Sequence, residues 1–188
     1  MLSSLVASNR SCRAFDRTDP IPRETLLSLI DLARQSASGK NLQPLRYRVL
    51  TLETDIFKML RNCRFAPSLN IPLPPAGKEP TGFILIFSDN RIASPEPLRL
   101  IDVGIAAQTI LLSAAEKGFG GCMLKSFDAG CLSADFGIPA YYTPQLAIAL
   151  GKPAERAHIK EAVDGNTAYY RENGVQIVPK LPLSDILI

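Results

Sequence analysis

Two short stretches of the chain combine residue types that bind anions and polar ligands. The first is Arg10-Ser-Cys-Arg13, in which two arginines flank a hydroxyl. Arginine binds oxyanions through parallel N–H groups, so this spacing suits a phosphate. Two solvated arginines would give the same pattern, and the stretch by itself leaves both interpretations open.

The second stretch, Ser36-Ala-Ser-Gly-Lys-Asn-Leu-Gln-Pro44, joins a helix pattern to a strand pattern. A plain connection of this length needs only a glycine cap and a turn residue. This one also carries polar side chains on Ser36, Ser38, Asn41 and Gln43. Such a loop is typical of one that hydrogen-bonds a bound molecule; the alternative is a helix cap at Gly39 followed by a polar surface loop.

Side chains for other chemistries are scarce. The sequence has one histidine, His158, and four cysteines, none of them in a Cys-x-x-Cys pair. Zinc sites and Ser-His-Asp or Cys-His catalysis need such residues, so the sequence predicts no metal site and no catalytic side chain. We expect the cysteines to pack as small hydrophobic residues and His158 to lie on the surface.

Composition indicates a single soluble domain, because 188 residues with 46% apolar and 21% charged residues can bury a substantial core. The net charge of +3 comes without a basic run, which disfavours nucleic-acid binding despite a pI near 8.7. No signal peptide is predicted, and the longest apolar region, 101–115, is interrupted by polar residues. We therefore expect a cytoplasmic protein that does not span a membrane.

Hydrophobic periodicity predicts helices over 1–8, from 22, over 55–61 (capped by Thr54), 102–117 and 128–136, and strands over 46–52, 82–88, 122–127, 144–151 and in the tail. This order favours an α+β fold, a sheet with flanking helices. The helix over 102–117 is apolar around most of its circumference, which predicts a central position or a subunit interface.

The proline-rich stretch 64–81 is expected to be irregular. Gly118-Phe-Gly-Gly121 is not a dinucleotide fingerprint, because its glycines follow a helix and precede a strand.

Taken together, these pieces resemble the FMN-dependent nitroreductase family. The resemblance is carried by Arg10-Ser-Cys-Arg-Ala-Phe15, Pro20-Ile-Pro-Arg-Glu24, the 36–44 stretch, Asp102-Val-Gly-Ile-Ala-Ala-Gln108 with Gly118-Phe-Gly-Gly121, Leu146-Ala-Ile-Ala-Leu-Gly-Lys-Pro153 and Val178-Pro-Lys-Leu-Pro-Leu-Ser-Asp-Ile186. It implies a single domain over 1–188 with a central mixed, mostly antiparallel sheet. It also implies a homodimer that binds FMN at its interface, with residues 152–188 extending onto the partner.

The resemblance also implies roles for the basic residues. Arg10 and Ser11 would meet the FMN phosphate, and Arg13 would lie nearer the pyrimidine edge of the flavin. A cation there stabilises the negative charge that gathers on reduction. Lys180, and less directly Lys152, would complete the phosphate site. The sequence departs from the family's usual double arginine, since Asn9 precedes Arg10.

The polar loop and one strand end would supply the other contacts. Residues expected from the second subunit, beside the ring and the ribityl chain, are Ser36, Ala37 and Ser38. Asn41 and Gln43 would order that loop or reach the flavin. Lys125 and Ser126 would offer backbone N–H groups to flavin N5 and O4. Gln35-Ser36 replaces the usual Ala-Pro of the family at this loop.

The implied activity is an FMN-dependent oxidoreductase that passes hydride from NADH or NADPH through flavin N5 to a nitro compound, a quinone or a flavin by a ping-pong mechanism. One alternative keeps FMN but changes the acceptor, as in a dehalogenase-like or oxygen-using enzyme. Another is a flavin sensor or storage protein with little turnover. Phe65, Phe127 and Tyr141 are candidates for lining an acceptor pocket, with packing in the core as the alternative.

Overall fold

The computed structural model describes residues 1–69 and 71–188. Its helices are α1 (Leu2–Ser8), α2 (Arg23–Ala33), α3 (Glu53–Asn62), α4 (Glu96–Glu116) and α5 (Ala129–Asp135). Its strands are β1 (Phe15–Asp16), β2 (Leu45–Leu50), β3 (Gly82–Asp89), β4 (Gly120–Leu124), β5 (Tyr142–Pro153), β6 (Arg156–Glu161), β7 (Tyr170–Glu172) and β8 (Val175–Lys180). The predicted α+β class is confirmed.

The main sheet is antiparallel and is centred on β3 and β5. Its order is β1-β5-β3-β2, and β4 also pairs with β5. Every residue of β3 is buried, so this strand needs cover on both faces. Phe83, Leu85 and Phe87 pack in a cluster with α3 and α5, whereas Ile84 and Ile86 pack in a second cluster with α2 and α4. Alternate side chains of one strand thus anchor helices on opposite sides.

The end of α4 follows the predicted glycine cap. Gly118 has a φ of +77°, and the Phe119 N–H donates to the Ala114 carbonyl at 2.9 Å. These contacts form a Schellman motif. The start of α4 was predicted wrongly at Asp102, since the helix begins at Glu96. Pro97 lies in the first turn of α4, where proline is tolerated. The helix can therefore begin before the apolar pattern does.

One face of α4 is buried and the other is open in the single chain. The buried residues are Asp102, Val103, Ala106, Ala107, Ile110, Leu111 and Ala114. On the open face Ile101 remains 58% exposed, and Gly104 and Gln108 are also exposed. With 21 residues and a mean hydropathy of 1.5, α4 could cross a membrane by length and composition, contrary to the prediction. Its buried face nevertheless packs in a core cluster with β3 and β5, which is the setting of a core helix.

The C-terminal region forms a second sheet of β6, β8 and β7, with β6 parallel and β7 antiparallel to β8. The sequence predicted a single strand here, because β6 (Arg-Ala-His-Ile-Lys-Glu) is mostly exposed and shows no buried apolar face. The predicted Asn173-Gly174 turn is confirmed, since both residues have positive φ and Glu172 pairs with Val175. This is the geometry of a tight hairpin.

The structure tests three other residues that the sequence suggested as helix caps. Asp128 caps α5 as predicted, accepting the Cys131 N–H at 2.8 Å. Thr54 was wrongly predicted as a cap, because α3 begins at Glu53 without a side-chain cap bond. Gly39 does not cap α2, which ends at Ala33, and instead begins a 3-10 turn.

Three of the four cysteines follow the packing prediction. Cys12, Cys63 and Cys122 are buried, whereas Cys131 is exposed. Burial raises the pKa of the Cys12 thiol to about 11 and that of Cys63 to about 12. His158 lies on the surface as predicted. Within the described part of 64–81, the only helical segment is the 3-10 turn Pro67–Leu69.

Gly121 has a steric role in the fold, because the N-terminal segment and β5 both approach it closely. The Cys12 N–H donates to its carbonyl at 3.0 Å. A Cβ at this position would lie 2.3 Å from the Ala149 carbonyl oxygen and 2.9 Å from Leu150 Cδ2. No side chain fits there without moving the paired strand.

We expect Gly121→Ala to lower the free energy of unfolding by about 3 kcal/mol or more, because the added methyl overpacks rigid backbone. Urea denaturation measures the change. Gly130→Ala is the matched control: it lies in α5, its Cβ would come no closer than 3.4 Å to another residue, and it should gain roughly 0.5–1 kcal/mol. Equal effects of the two substitutions would contradict the steric role of Gly121.

Candidate functional site

A cleft of about 410 Å³ collects the basic residues predicted near the N-terminus and in the tail. Its lining is Asn9, Arg10, Ser11, Arg13, Gln108, Leu111, Met123, Tyr169, Gln176, Val178 and Lys180. We call it the arginine cleft. Four residues predicted to hold FMN, namely Arg10, Ser11, Arg13 and Lys180, therefore lie together although 170 positions separate the first from the last.

The end of helix α1, a bridge to β4 and the strand β8 position these side chains. Helix α1 ends at Ser8 with Asn9 as its C-cap, and Ser11 then forms a parallel bridge with Gly121 near the start of β4. The Arg10 guanidinium donates to the Val6 carbonyl of α1, which holds its stem. On the opposite wall Gln176, Val178 and Lys180 alternate along β8, so all three lie on one face of that strand.

The arginine cleft carries positive charge without a matching carboxylate. Among the described residues, Arg10, Arg13 and Lys180 form no ion pair. The nearby Glu155 is already used, since it accepts from the Arg13 backbone N–H and from the Arg171 guanidinium, the latter at 2.7 Å. Cations without a carboxylate partner in a concave site favour an anionic ligand.

Buried polar groups in the same cleft also lack partners. The Gln176 side chain is 2% exposed, and neither its amide nitrogen nor its amide oxygen has a hydrogen-bond partner in the described part of the chain. The same holds for Arg10 Nε. Buried polar atoms are nearly always satisfied in proteins, so these exceptions point to a ligand. Sequence reasoning missed Gln176, although its spacing of four from Lys180 on a predicted strand could have indicated it.

The polar loop lines a second cleft of about 270 Å³. Its lining is Ile30, Ala33, Arg34, Ser36, Ala37, Ser38, Gln43, Leu45, Arg46, Tyr47, Asp102 and Ala106. We call it the serine cleft. Four predicted residues, Ser36, Ala37, Ser38 and Gln43, line it, whereas Asn41 does not and instead accepts from the Gln43 amide at 3.2 Å.

Asp102 of α4 fixes the polar loop. Its carboxylate accepts from the Ser38 hydroxyl at 2.7 Å and from the Gly39 N–H at 2.8 Å, and it is 3% exposed. The Ser38 hydroxyl in turn accepts from the Gln43 N–H at 3.0 Å. Between these contacts Lys40 has a φ of 52° and Gln43 a φ of 50°, a region that side chains other than glycine rarely adopt. The carboxylate thus holds a strained loop in one conformation.

The two clefts lie on different sides of α4. Asp102 and Ala106 line the serine cleft, whereas Gln108 and Leu111 line the arginine cleft. At about 100° per residue, Leu111 lies half a helical circumference away from Asp102. A single chain therefore keeps the two predicted halves of the site apart.

The remaining predicted residues line neither cleft. Lys125 donates from Nζ to the Gln145 carbonyl at 2.8 Å, and the Ser126 carbonyl accepts from the Arg64 N–H at 2.8 Å. Lys152 lies 3.6 Å from the Asp19 carboxylate, which draws its charge away from the arginine cleft. Of the two lysines predicted for the phosphate site, Lys180 lines the arginine cleft and Lys152 does not.

The aromatic candidates divide between the core and the surface. Phe65 is buried in the cluster with α3 and α5, and Phe127 packs against that cluster. Tyr141 is 40% exposed, with the Arg91 guanidinium 4.0 Å from its ring centroid. Neither cleft includes these rings. Within residues 1–69 and 71–188, no group of three His, Cys, Asp or Glu side chains could hold a metal ion.

Comparison with known proteins identifies the family. The family model of nitroreductases matches residues 6–152, which is most of the chain. The chain belongs to the nitroreductase family. The match includes the polar loop, Asp102 and the two N-terminal arginines, but it ends before β6, β7 and β8.

Solved structures of nitroreductase-type proteins share the fold at low identity. One from Desulfovibrio desulfuricans, described as a nitroreductase and solved in complex with FMN, is 20% identical with a TM-score of 0.75, covering 100% of this chain and 95% of that one. A nitroreductase family protein from Clostridium difficile is 21% identical with a TM-score of 0.71, covering 100% and 96%. The enone reductase CLA-ER, of gut-bacterial fatty acid saturation, is 18% identical with a TM-score of 0.71, covering 87% and 93%.

We expect Asp102→Asn to release the polar loop, because the amide loses the negative charge that strengthens both accepted hydrogen bonds. The free energy of unfolding should fall by about 1.5–3 kcal/mol. Hydrogen exchange at the Gly39 amide, followed by NMR, should speed up by at least tenfold.

Asp31→Asn is the control, since Asp31 is an exposed carboxylate paired with Arg34 on α2 and should contribute less than about 1 kcal/mol. Unchanged exchange at Gly39 in Asp102→Asn would show that the carboxylate does not hold the loop.

Proposed function

We propose that the protein is an FMN-dependent oxidoreductase that passes hydride from NADH or NADPH through flavin N5 to a small oxidised acceptor by a ping-pong mechanism. Membership of the nitroreductase family supports flavin-dependent oxidoreductase activity. The observation that carries the proposal is the arginine cleft, whose three cations lack carboxylate partners among the described residues. A dianionic phosphate would satisfy them.

The residues present fit FMN in charge and in hydrogen-bonding character. Arg10, Ser11 and Lys180 would hold the phosphate, because arginine and lysine give charge-assisted hydrogen bonds to phosphate oxygens. Arg13 would stabilise negative charge on the ring system. Its guanidinium already lies 5.5 Å from the Tyr169 ring centroid, a cation–π contact that keeps it in the cleft.

The chain would act as a homodimer, in which the serine cleft of one subunit completes the arginine cleft of the other. Support comes from the open apolar face of α4, where Leu100 and Ile101 are 52% and 58% exposed. It also comes from the tail, where Leu183 and Leu187 are each 67% exposed. Apolar surface of this kind is favourable to bury against a partner. We propose one domain over 1–188, with residues 152–188 as an extension onto that partner.

When bound, FMN would supply the redox chemistry, taking hydride at N5 from the nicotinamide and returning it to the acceptor. The side chains would bind and orient the reactants, and no acid or base is assigned among them. The buried thiols do not serve as nucleophiles, because burial keeps their pKa values high. The acceptor class would be a nitro compound, a quinone or a flavin, and a related enone reductase widens it to activated alkenes. A cytoplasmic location stays a prediction.

Flavin reduction tests the function directly. The protein, reconstituted with FMN, should be yellow, and anaerobic NADH or NADPH should bleach its visible absorption within one turnover. Adding a nitro compound or a quinone should restore the colour, with parallel lines in initial-rate plots as a ping-pong mechanism requires. A yellow protein that neither nucleotide bleaches would favour the sensor or storage alternative. A protein that cannot bind FMN would overturn the proposal.

The phosphate role of Arg10 predicts a loss of flavin affinity. We expect Arg10→Ala to raise the Kd for FMN by roughly 10- to 150-fold, since a charge-assisted pair contributes about 1.5–3 kcal/mol. Quenching of flavin fluorescence gives the Kd, and competition by inorganic phosphate should weaken in the variant. Arg23→Ala, at an exposed arginine outside both clefts, should leave the Kd unchanged.

Subunit mixing extends this test to the shared site. Ala37→Trp should block FMN from the serine cleft, so each variant alone binds flavin weakly. In a mixed dimer of Arg10→Ala and Ala37→Trp chains, one of the two sites receives both intact halves and should regain full affinity. If the mixture binds no more tight FMN than the separate variants, the site does not draw on both subunits.

A further inference from the structure

Gln176 is a buried carboxamide with no assigned role, and it lies outside the part of the chain that the family model covers. It lines the arginine cleft from β8, and neither atom of its amide finds a partner among the described residues. On the other face of the strand, Ile177 is 3% exposed. The alternation of the strand therefore fixes the amide toward the cleft.

The geometry points to Gln176 as the residue that recognises the imide edge of the flavin, where a carbonyl oxygen and an N–H stand side by side. This inference rests on the proposed function. A carboxamide presents one acceptor beside two donors, so it can accept from the flavin N3–H while it donates to a neighbouring carbonyl. A site that pairs with both groups discriminates strongly against ligands that lack one of them.

The phosphate is a poorer partner for this amide. A phosphate only accepts hydrogen bonds, so contact with it would leave the Gln176 oxygen buried without a donor. Arg10, Arg13 and Lys180 already supply donors for an anion in the same cleft. Along β8, Gln176 and Lys180 are four residues apart, about 13 Å at the rise of an extended strand. One end of an elongated ligand can thus meet Lys180 while its other end meets Gln176.

Methylation of the flavin at N3 removes the one donor that this amide is proposed to accept. The wild-type protein should bind FMN roughly tenfold more tightly than N3-methyl-FMN. In Gln176→Leu, the affinity for FMN should fall by roughly tenfold or more, and the two flavins should bind equally. Gln145→Leu is the matched control: its amide is hydrogen-bonded to Ser88 outside both clefts, so it should keep the wild-type preference.

The melting temperature without flavin provides a second test. A structural role of Gln176 would lower the melting temperature of Gln176→Leu, whereas a role in flavin binding would not. Since the amide has no hydrogen-bond partner among the described residues, Gln176→Leu without flavin should unfold at the same temperature as the wild type or higher. Gln145→Leu should unfold at a lower temperature because it loses a hydrogen bond. A lower melting temperature for Gln176→Leu would mean that the amide supports the fold and would overturn the inference.

The outcomes separate this inference from the proposed function. If wild-type protein binds neither flavin, the FMN proposal fails. If it binds FMN but Gln176→Leu keeps full affinity, or weakens FMN and N3-methyl-FMN by the same factor, FMN binding stands and recognition of the imide by Gln176 is wrong. Should Gln176→Leu not fold, Gln176→Met carries the same comparison with a flexible side chain of similar length.

Discussion

The buried carboxylate of Asp102 determines how the polar loop and α4 are joined. A charge that is 3% exposed is unfavourable unless strong donors compensate it, and here a hydroxyl and a backbone N–H do so at 2.7 Å and 2.8 Å. The same contacts hold backbone at Lys40, Asn41 and Gln43 with positive φ. The interaction is therefore two-sided: the loop satisfies the charge, and the charge maintains a loop conformation that the sequence would not adopt unaided.

Because Asp102 lies on α4, the helix connects the loop to the rest of the molecule. Its buried face packs on β3 and β5, which fixes its axis, and two sides of the helix border the two clefts. The sequence of α4 reflects these demands, since small and apolar residues cover most of its circumference although one chain buries only part of it. The surplus apolar surface makes sense if a second copy covers it, which would also bring an arginine cleft and a serine cleft together.

Local chemistry that is settled within a few residues could be predicted from the sequence. Gly118 and Asn173-Gly174 reach backbone angles that favour their residue types, and Asp128 caps the next turn with its own side chain. A continuous apolar run predicts the buried strand β3. The arginines and the polar loop stand out because their residue types are unusual for plain connections, and the roles that the family resemblance implies for them stay predictions.

Features that depend on distant partners were not accessible in this way. Strand β6 has no apolar pattern, and its parallel pairing with β8 is what makes it a strand. The requirement at Gly121 arises from the carbonyl of Ala149 on a neighbouring strand, 28 positions away. In each case the sequence shows the residue, but the atom that the residue contacts is known only from the structure.

The arginine cleft contains residues that the sequence pattern indicates and one that only the three-dimensional structure indicates. Like charges repel one another, and a buried amide without partners lacks the bonds it had in water, so neither group is placed there to favour folding. The two central clusters around β3 supply the stability that tolerates this. Of the groups in the cleft, the cations can be predicted from the sequence, because charged residue types and their spacing indicate an anion site. Gln176 cannot, because a glutamine is unremarkable until its surroundings are known, and only its burial without a partner distinguishes it from glutamines on the surface. The most specific indication of ligand chemistry in this protein is therefore a hydrogen bond that the fold leaves unmade.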